Sequence, residues 1–198
     1  HRKLILPQLG APGVAAHEVK KETGFTVEYG PVRAKDIPEF LRLGHATMAM
    51  RRVTFPLRDR AVLIPIEVVQ SLKYLVPAMI LLFLVGGISA ATIAPVAVLG
   101  GTMLFPLLLP YLPTKEFTSK GLLLGAVLAL PFVLYYAEGV GPPWAGALLG
   151  LAIALVMAAV VGYLGLNFTG SSTYASRTGV RKEIFRWMPA MAVMLITG

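Results

Sequence analysis

The sequence predicts a protein in two parts, a short α/β segment followed by an all-α bundle of membrane-spanning helices. The first reason is composition, because 56% of the 198 residues are hydrophobic, only 14% are charged, and the mean hydropathy is +0.72. Soluble domains carry about 25% charged residues. The second reason is that residues 74–114 contain no Asp, Glu, Lys or Arg. The third is that residues 1–47 alternate short apolar runs with Gly/Pro loops and helical patterns.

Residues 1–47 carry the α/β pattern. The predicted order is a strand at 4–9, a helix at 14–21, a second strand at 25–29 and a second helix at 35–43. Gly10, Pro12 and Gly13 separate the first strand from the first helix. Two strands are too few for a complete doubly wound domain. We therefore expect the C-terminal half of such a domain, with the other half upstream of His1.

Residues 72–198 carry the membrane-spanning pattern. At about 1.5 Å per helical residue, residues 74–114 would extend ~60 Å, about twice the ~30 Å thickness of the hydrocarbon layer. This stretch must therefore cross and return, and residues 86–92 are the expected turn. The predicted spans are 72–88, 91–112, 121–137 and 144–166, followed by the start of a fifth at 187–198.

A basic connector, residues 48–71, precedes the first span. Its arginines are typical of a juxtamembrane collar that rests on anionic lipid headgroups, although one of them could instead bind a cofactor phosphate. The loops after the second and fourth spans carry Lys115, Lys120 and the basic group at 177–186. The loops after the first and third spans carry no Lys or Arg. The positive-inside rule then predicts a multi-pass protein of the cytoplasmic membrane, with the N-terminal domain in the cytoplasm.

Several classes of function are disfavoured by what the sequence contains. The net charge of +8 fits the positive-inside rule, and we expect no nucleic-acid binding because no basic helix or aromatic-basic motif is present. The chain has no cysteine, which excludes thiolate chemistry by this chain. We also expect no metal site built from its histidines. Almost no ionisable residue falls within a span, which argues against transport and favours an anchor and packing platform.

Two stretches, residues 1–10 and 29–41, resemble the corrinoid-binding domain of the corrinoid iron-sulfur protein family, the corrinoid subunit of CO dehydrogenase/acetyl-CoA synthase. With residues 15–21 between them and several membrane spans after them, the chain is most similar to the membrane-bound branch of this family that acts in microbial mercury methylation. The resemblance covers the whole chain, and its specificity is concentrated in residues 1–67.

The resemblance implies a Rossmann-like α/β domain that holds a cobalamin-type corrinoid above a five-span membrane domain. Methylcobalt would transfer its methyl group to mercuric ion, and a ferredoxin-like protein with two iron-sulfur clusters would reduce the cobalt. The methyl donor protein stays unknown. Both predicted strands end in loops, where an α/β domain places its ligand. The expected corrinoid-facing residues are Gln8, Gly10, Gly13, Gly30 and Pro31, and the alternative is that all five only shape turns.

The chain departs from the family at the cobalt. Family members carry a cap helix with Asn-Val-Trp-Cys-Ala-Ala-Gly-Lys, whose cysteine lies beneath cobalt, and this sequence has neither the motif nor a cysteine. We assign no catalytic residue and no metal ligand, and we expect a C-terminal fragment that is inactive alone. One alternative is a corrinoid methyl carrier of one-carbon metabolism. Another is a non-catalytic membrane scaffold that docks a soluble partner.

Overall fold

The structure, a computed structural model, describes residues 2–139, 141–171 and 177–198. His1, at the start of the family-like stretch, and residues 172–176, in the region predicted as a polar loop, lie outside the described residues. The chain divides into two compact units, His1–Thr54 and Phe55–Gly198, which we call the N-terminal unit and the membrane unit. The division falls within the predicted connector, residues 48–71.

The N-terminal unit contains two short strands and three short helices. In chain order these are β1 (Lys3–Leu6), α1 (Ala16–Thr23), β2 (Thr26–Tyr29), α2 (Ile37–Leu43) and α3 (Met48–Arg51), with 3-10 turns at Gln8–Gly10 and Ala34–Asp36. The strands pair in parallel, with Leu6 opposite Tyr29. Glycines end the first two helices because Gly24 and Gly44 adopt left-handed φ angles of 73° and 72°.

The predicted fold class, an α/β partial corrinoid-binding (Rossmann-like) domain followed by an all-α multi-span bundle, is wrong. The chain is 77% helical, and the described residues contain only two short parallel strands and no Rossmann-like domain. The physical reason is the small apolar core of the N-terminal unit, which consists of Phe40, Ala46 and Met50. Leu4 and Ile5 of β1 remain 38% and 49% exposed. A strand pair so little covered does not form a layered α/β domain.

Where the structure describes it, the membrane unit contains helices joined by turns and loops, and no strand. It consists of α4 (Leu57–Ala61), α5 (Ile64–Ala91), α6 (Ile93–Leu99), a π-helical segment (Gly100–Leu104), α7 (Phe105–Leu108), α8 (Phe117–Gly139), α9 (Pro143–Ser171) and α10 (Arg177–Thr197). Among the described residues, three helical stretches are long and apolar enough to cross a membrane: Leu57–Ala91, Phe117–Gly139 and Pro143–Gly170. This agrees with the predicted membrane protein and with a lipid bilayer as a partner.

Four full spans plus the start of a fifth were predicted, and the structure differs at two of them. Residues 91–112 hold a shorter apolar helix, Ile93–Leu108, that widens into the π-helical segment Gly100–Leu104. Pro106 has no N–H to donate to the carbonyl of Thr102, which favours such a widened turn. The last helix, α10, begins at Arg177, well before the predicted start at 187.

The chain turns back at a glycine in α5. Gly87 has φ 69° and ψ −159°, a backbone conformation open to glycine and outside the helical region. Near this turn Tyr136 donates to the Ser89 hydroxyl over 3.3 Å. At the other end of the same hairpin, Arg60 donates to the carbonyls of Pro106 and Leu107, both at 2.9 Å. The apolar stretch therefore runs out and returns within the membrane unit.

Helices α8 and α9 form the tightest helix pair. A Cβ added to Gly121 would lie 2.5 Å from the Val161 carbonyl oxygen, and one added to Gly125 would lie 2.6 Å from that of Met157. The two glycines are four residues apart, the spacing of the small-residue motif that brings helices into backbone contact in lipid. The core beside this contact includes Phe105, which is fully buried.

Candidate functional site

The candidate site in the N-terminal unit is the edge of the strand pair at which both strands end. Leu6 and Tyr29, the last residues of β1 and β2, are partners in the parallel register, so the loops that follow lie side by side. The Gly30 N–H donates to the Leu6 carbonyl over 2.8 Å. The Tyr29 hydroxyl donates to the carbonyl of Val14, which joins the end of β2 to the loop before α1. We call residues 7–14 and 30–32 the strand-end edge.

Gln8 is the most informative residue of this edge. It begins the 3-10 turn that follows β1, and its side-chain carbonyl oxygen is buried without a hydrogen-bond partner among the described residues. Leaving such an acceptor unpaired costs about 1–3 kcal/mol. The oxygen is enclosed by the protein, so a donor on a ligand would reach it and remove this cost only with the Gln8 side chain turned outward.

Gly10 and Gly13 differ from ordinary turn glycines. Neither has a positive φ. A Cβ on Gly10 would come no closer than 3.9 Å to another atom, the Cγ of Pro7, and a Cβ on Gly13 would lie 3.7 Å from the Gly10 oxygen. Neither backbone conformation nor internal packing therefore requires glycine at these positions. The surface above them is open to a ligand that passes close to the backbone.

The backbone amides of this loop are occupied. The Gly10 N–H donates to the Pro7 carbonyl over 2.9 Å, and the Gly13 N–H donates to the Gly10 carbonyl over 3.0 Å. The N–H groups of Ala11 and Val14 also donate within the loop. The loop therefore suits an uncharged, amide-bearing group better than a phosphate.

Gly30 and Pro31 are buried on the other side of the edge. A Cβ on Gly30 would lie 3.2 Å from the Ile5 Cγ2 and 3.7 Å from the Phe40 ring, so its small size is required by packing within the unit. Both residues line a mostly apolar cavity of about 400 Å³ together with Leu6 and Pro7. Gln8, Gly10 and Gly13 do not line this cavity, so the structure divides the five predicted residues into two groups.

The residues of the strand-end edge can be compared with the chemistry of a corrinoid ring. The unpaired Gln8 oxygen and the open glycines at 10 and 13 fit the amide-rich rim of such a ring. The described residues contain no group of three or more His, Cys, Asp or Glu that could hold a free metal ion, but a corrinoid brings its cobalt already bound by the nitrogens of its ring. The residues of the strand-end edge therefore bear only on the periphery of such a ring.

A second polar cluster, which the sequence analysis missed, lies at one end of the membrane unit. Here the starts of α4 and α8 lie close to the end of α7. Arg60 of α4 donates to the carbonyls of Pro106 and Leu107, and the rings of Phe105 and Phe117 lie 6.3 Å apart. The Lys120 ammonium donates to the Leu109 carbonyl over 2.6 Å. Arg60 is only 8% exposed, whereas the sequence placed it in an exposed collar. The position of Arg60 between two apolar runs of the sequence was the feature that could have indicated its burial.

Three comparisons with known proteins bear on the assignment. No family model, no curated protein and no solved structure matches this chain. A functional assignment therefore depends on the geometry of the strand-end edge and the character of the membrane unit.

Proposed function

We propose that this chain is part of a membrane-anchored, corrinoid-dependent methyltransferase that transfers a methyl group to mercuric ion. The observation that supports it best is the buried, unpaired carbonyl oxygen of Gln8 beside two glycines that neither conformation nor packing requires. These features lie in the stretch with the strongest family resemblance. The methyl donor would be a separate protein, and the reductant would be a ferredoxin-like protein with two iron-sulfur clusters.

Each of the five predicted residues has a role in this proposal. With its side chain turned outward, Gln8 would accept a hydrogen bond from an amide N–H on the rim of the corrinoid, and Gly10 and Gly13 would allow the rim to approach the backbone. Pro31 and Gly30 keep the adjoining cavity apolar and exclude water from that side. When bound, the corrinoid supplies the cobalt that carries the methyl group. The chain has no cysteine, so a thiolate beneath the cobalt would come from other protein atoms.

The membrane unit serves as the anchor. The three long apolar helices among its described residues supply the membrane association, and the cationic side chains of Arg60, Lys115 and Lys120 meet at the end where α8 begins. By the positive-inside rule this end faces the cytoplasm of a cytoplasmic membrane. The N-terminal unit would then meet methyl donor, reductant and mercuric ion in the cytoplasm.

A non-catalytic scaffold is the second candidate, and a specific observation favours it. The loop amides of Gly10, Ala11, Gly13 and Val14 are all paired internally, and Gly30 is explained by packing against Ile5. In this case the strand-end edge would dock a soluble protein and hold no cofactor.

The experiment that tests the proposal is methylmercury formation by anaerobic cells that carry Gln8→Ala or Gly10→Val in the chromosomal copy. Loss of one neutral hydrogen bond predicts about fivefold weaker corrinoid binding for Gln8→Ala. Gly10→Val places a branched side chain where the rim approaches and should abolish activity. Gln70→Ala, which removes an exposed glutamine of α5, is the matched control and should leave methylation unchanged. Unchanged methylation in both variants, at equal protein levels in the membrane, would overturn the proposal.

A further inference from the structure

A cavity of about 260 Å³ lies at the end of the membrane unit where α8 begins. Its lining combines three cationic side chains, Arg60, Lys115 and Lys120, with the apolar side chains of Phe55, Leu109 and Phe117. No acidic residue is among the described residues that line it. The cavity is therefore positive on one side and apolar on the other.

The charge of Arg60 is not cancelled by its hydrogen bonds. One terminal nitrogen, Nη1, donates to the carbonyls of Pro106 and Leu107. The Nε atom is buried and has no hydrogen-bond partner within the part of the chain that the structure describes. The residue is only 8% exposed. A buried guanidinium with an unused donor is costly, and an anion in the cavity would lower this cost.

Lys115 and Lys120 add to the uncompensated positive charge of the cavity. Lys120 uses one of its three N–H donors, on the Leu109 carbonyl. Lys115 is exposed and makes no hydrogen bond or ion pair with the described residues. The carbonyls at the end of the helical run Ile93–Leu108 offset about half an elementary charge. More than two positive charges therefore remain for an anion.

The nearby carboxylates are engaged elsewhere. Glu116 accepts hydrogen bonds from Trp187 and Arg186 of α10, and Glu183 accepts from Thr118. Asp59, the neighbour of Arg60 in α4, is half-buried and has its own partner. None of the three lines the cavity.

We propose that this cavity binds a phosphate group, with Arg60, Lys115 and Lys120 as its cationic contacts. The phosphodiester of an anionic phospholipid fits best, because the apolar wall of Phe55, Leu109 and Phe117 suits the glycerol and the first acyl carbons. The site lies where a membrane-crossing helix begins, and basic pockets between helices at this depth bind lipid headgroups. Inorganic phosphate offers the same chemistry without the apolar part. The proposal does not depend on corrinoid binding.

The test uses the full chain in nanodiscs of phosphatidylcholine that contain a minor fraction of phosphatidylglycerol. Native mass spectrometry of the released protein should show retained phosphatidylglycerol, about fivefold less in Lys115→Gln. Lys115 is exposed, so this variant should fold. Lys182→Gln removes the same charge from exposed Lys182 of α10 and serves as the control, with retention unchanged. In a second arm, inorganic phosphate is added to nanodiscs of phosphatidylcholine alone, and the thermal midpoint is measured.

The outcomes separate the two sources of phosphate. Selective retention of phosphatidylglycerol without stabilisation by inorganic phosphate assigns the site to a lipid. Stabilisation by inorganic phosphate that Lys115→Gln reduces assigns it to a free phosphate group. The proposal is overturned if neither ligand binds, or if Lys182→Gln loses as much binding as Lys115→Gln.

Discussion

The carboxylate of Glu183 in α10 accepts two hydrogen bonds from Thr118 in α8, one from the backbone N–H and one from the hydroxyl, both at 3.0 Å. Thr118 is fully buried and Glu183 is 9% exposed. The first turn of a helix has unpaired N–H groups and a partial positive charge, so a carboxylate there is stabilising. This pair fixes α10 to the start of α8.

Replacing Glu183 by alanine should destabilise the membrane unit. The change leaves the buried N–H and hydroxyl of Thr118 unpaired, which we expect to cost about 2 kcal/mol. The measurement is the thermal unfolding midpoint of the purified protein in detergent. Glu138→Ala is the control, because Glu138 is exposed near the end of α8 and a negative charge there is not stabilising. Equal midpoints for the two variants would contradict this role of Glu183.

Gly125→Val should separate α8 from α9. A Cβ at this position would lie 2.6 Å from the Met157 carbonyl oxygen and 2.7 Å from the Ala158 Cα, and backbone atoms cannot give way locally. We expect a loss of about 3 kcal/mol, at the upper end for overpacking. Unfolding by titration with a denaturing detergent measures it. Gly139→Val, at a position with no atom within 4 Å of the added Cβ, should have no comparable effect, and a similar loss there would refute the interpretation.

Gly30 and Gly13 should respond differently to alanine. Gly30→Ala places a methyl group 3.2 Å from Ile5 Cγ2 and should loosen the strand pair by about 1 kcal/mol. Gly13→Ala meets nothing closer than 3.7 Å and should leave the strands unchanged. Hydrogen exchange of the β1 and β2 amides, followed by mass spectrometry, compares the two variants. Faster exchange in Gly13→Ala than in Gly30→Ala would show that the packing argument is incorrect.

The absence of cysteine makes the proposed orientation easy to test. Single cysteines at Lys35, Lys115 and Glu138 would each be treated with a membrane-impermeant thiol reagent on intact cells. We expect labelling only at position 138, because Lys115 and Glu138 lie at opposite ends of the α8 span and the positive-inside rule places Lys115 in the cytoplasm. Positions 35 and 115 should react after permeabilisation. Labelling of position 35 from outside would reverse the orientation.

The sequence predicted the membrane character because helices that cross a lipid bilayer are long and uncharged, and such stretches are visible directly in the sequence. It predicted a full span at 91–112, where the structure has a shorter helix at 93–108, because proline and glycine are tolerated in membrane helices and leave no reliable boundary. The early start of α10 was hidden for another reason. Charged residues usually mark loops, yet Glu183 lies inside a helix and is paired with Thr118.

The α/β prediction failed because the order of strands and helices does not reveal how many strands pair. The predicted stretch at 4–9 overlaps β1 and the stretch at 25–29 contains β2, but the described residues add no third strand. The candidate site shows a similar limit. Gly10 and Gly30 read alike in the sequence, whereas only the structure shows that Gly30 packs against Ile5 and that the surface at Gly10 is open.

Corrinoid binding by this protein is tested by the cobalt content of the protein purified anaerobically from its native membranes. If the strand-end edge holds a corrinoid, as proposed, the wild type should carry about one cobalt per chain, and Gly10→Val should lose it while remaining in the membrane. Absence of cobalt from the wild-type protein would contradict the account, and the chain would then be a membrane scaffold.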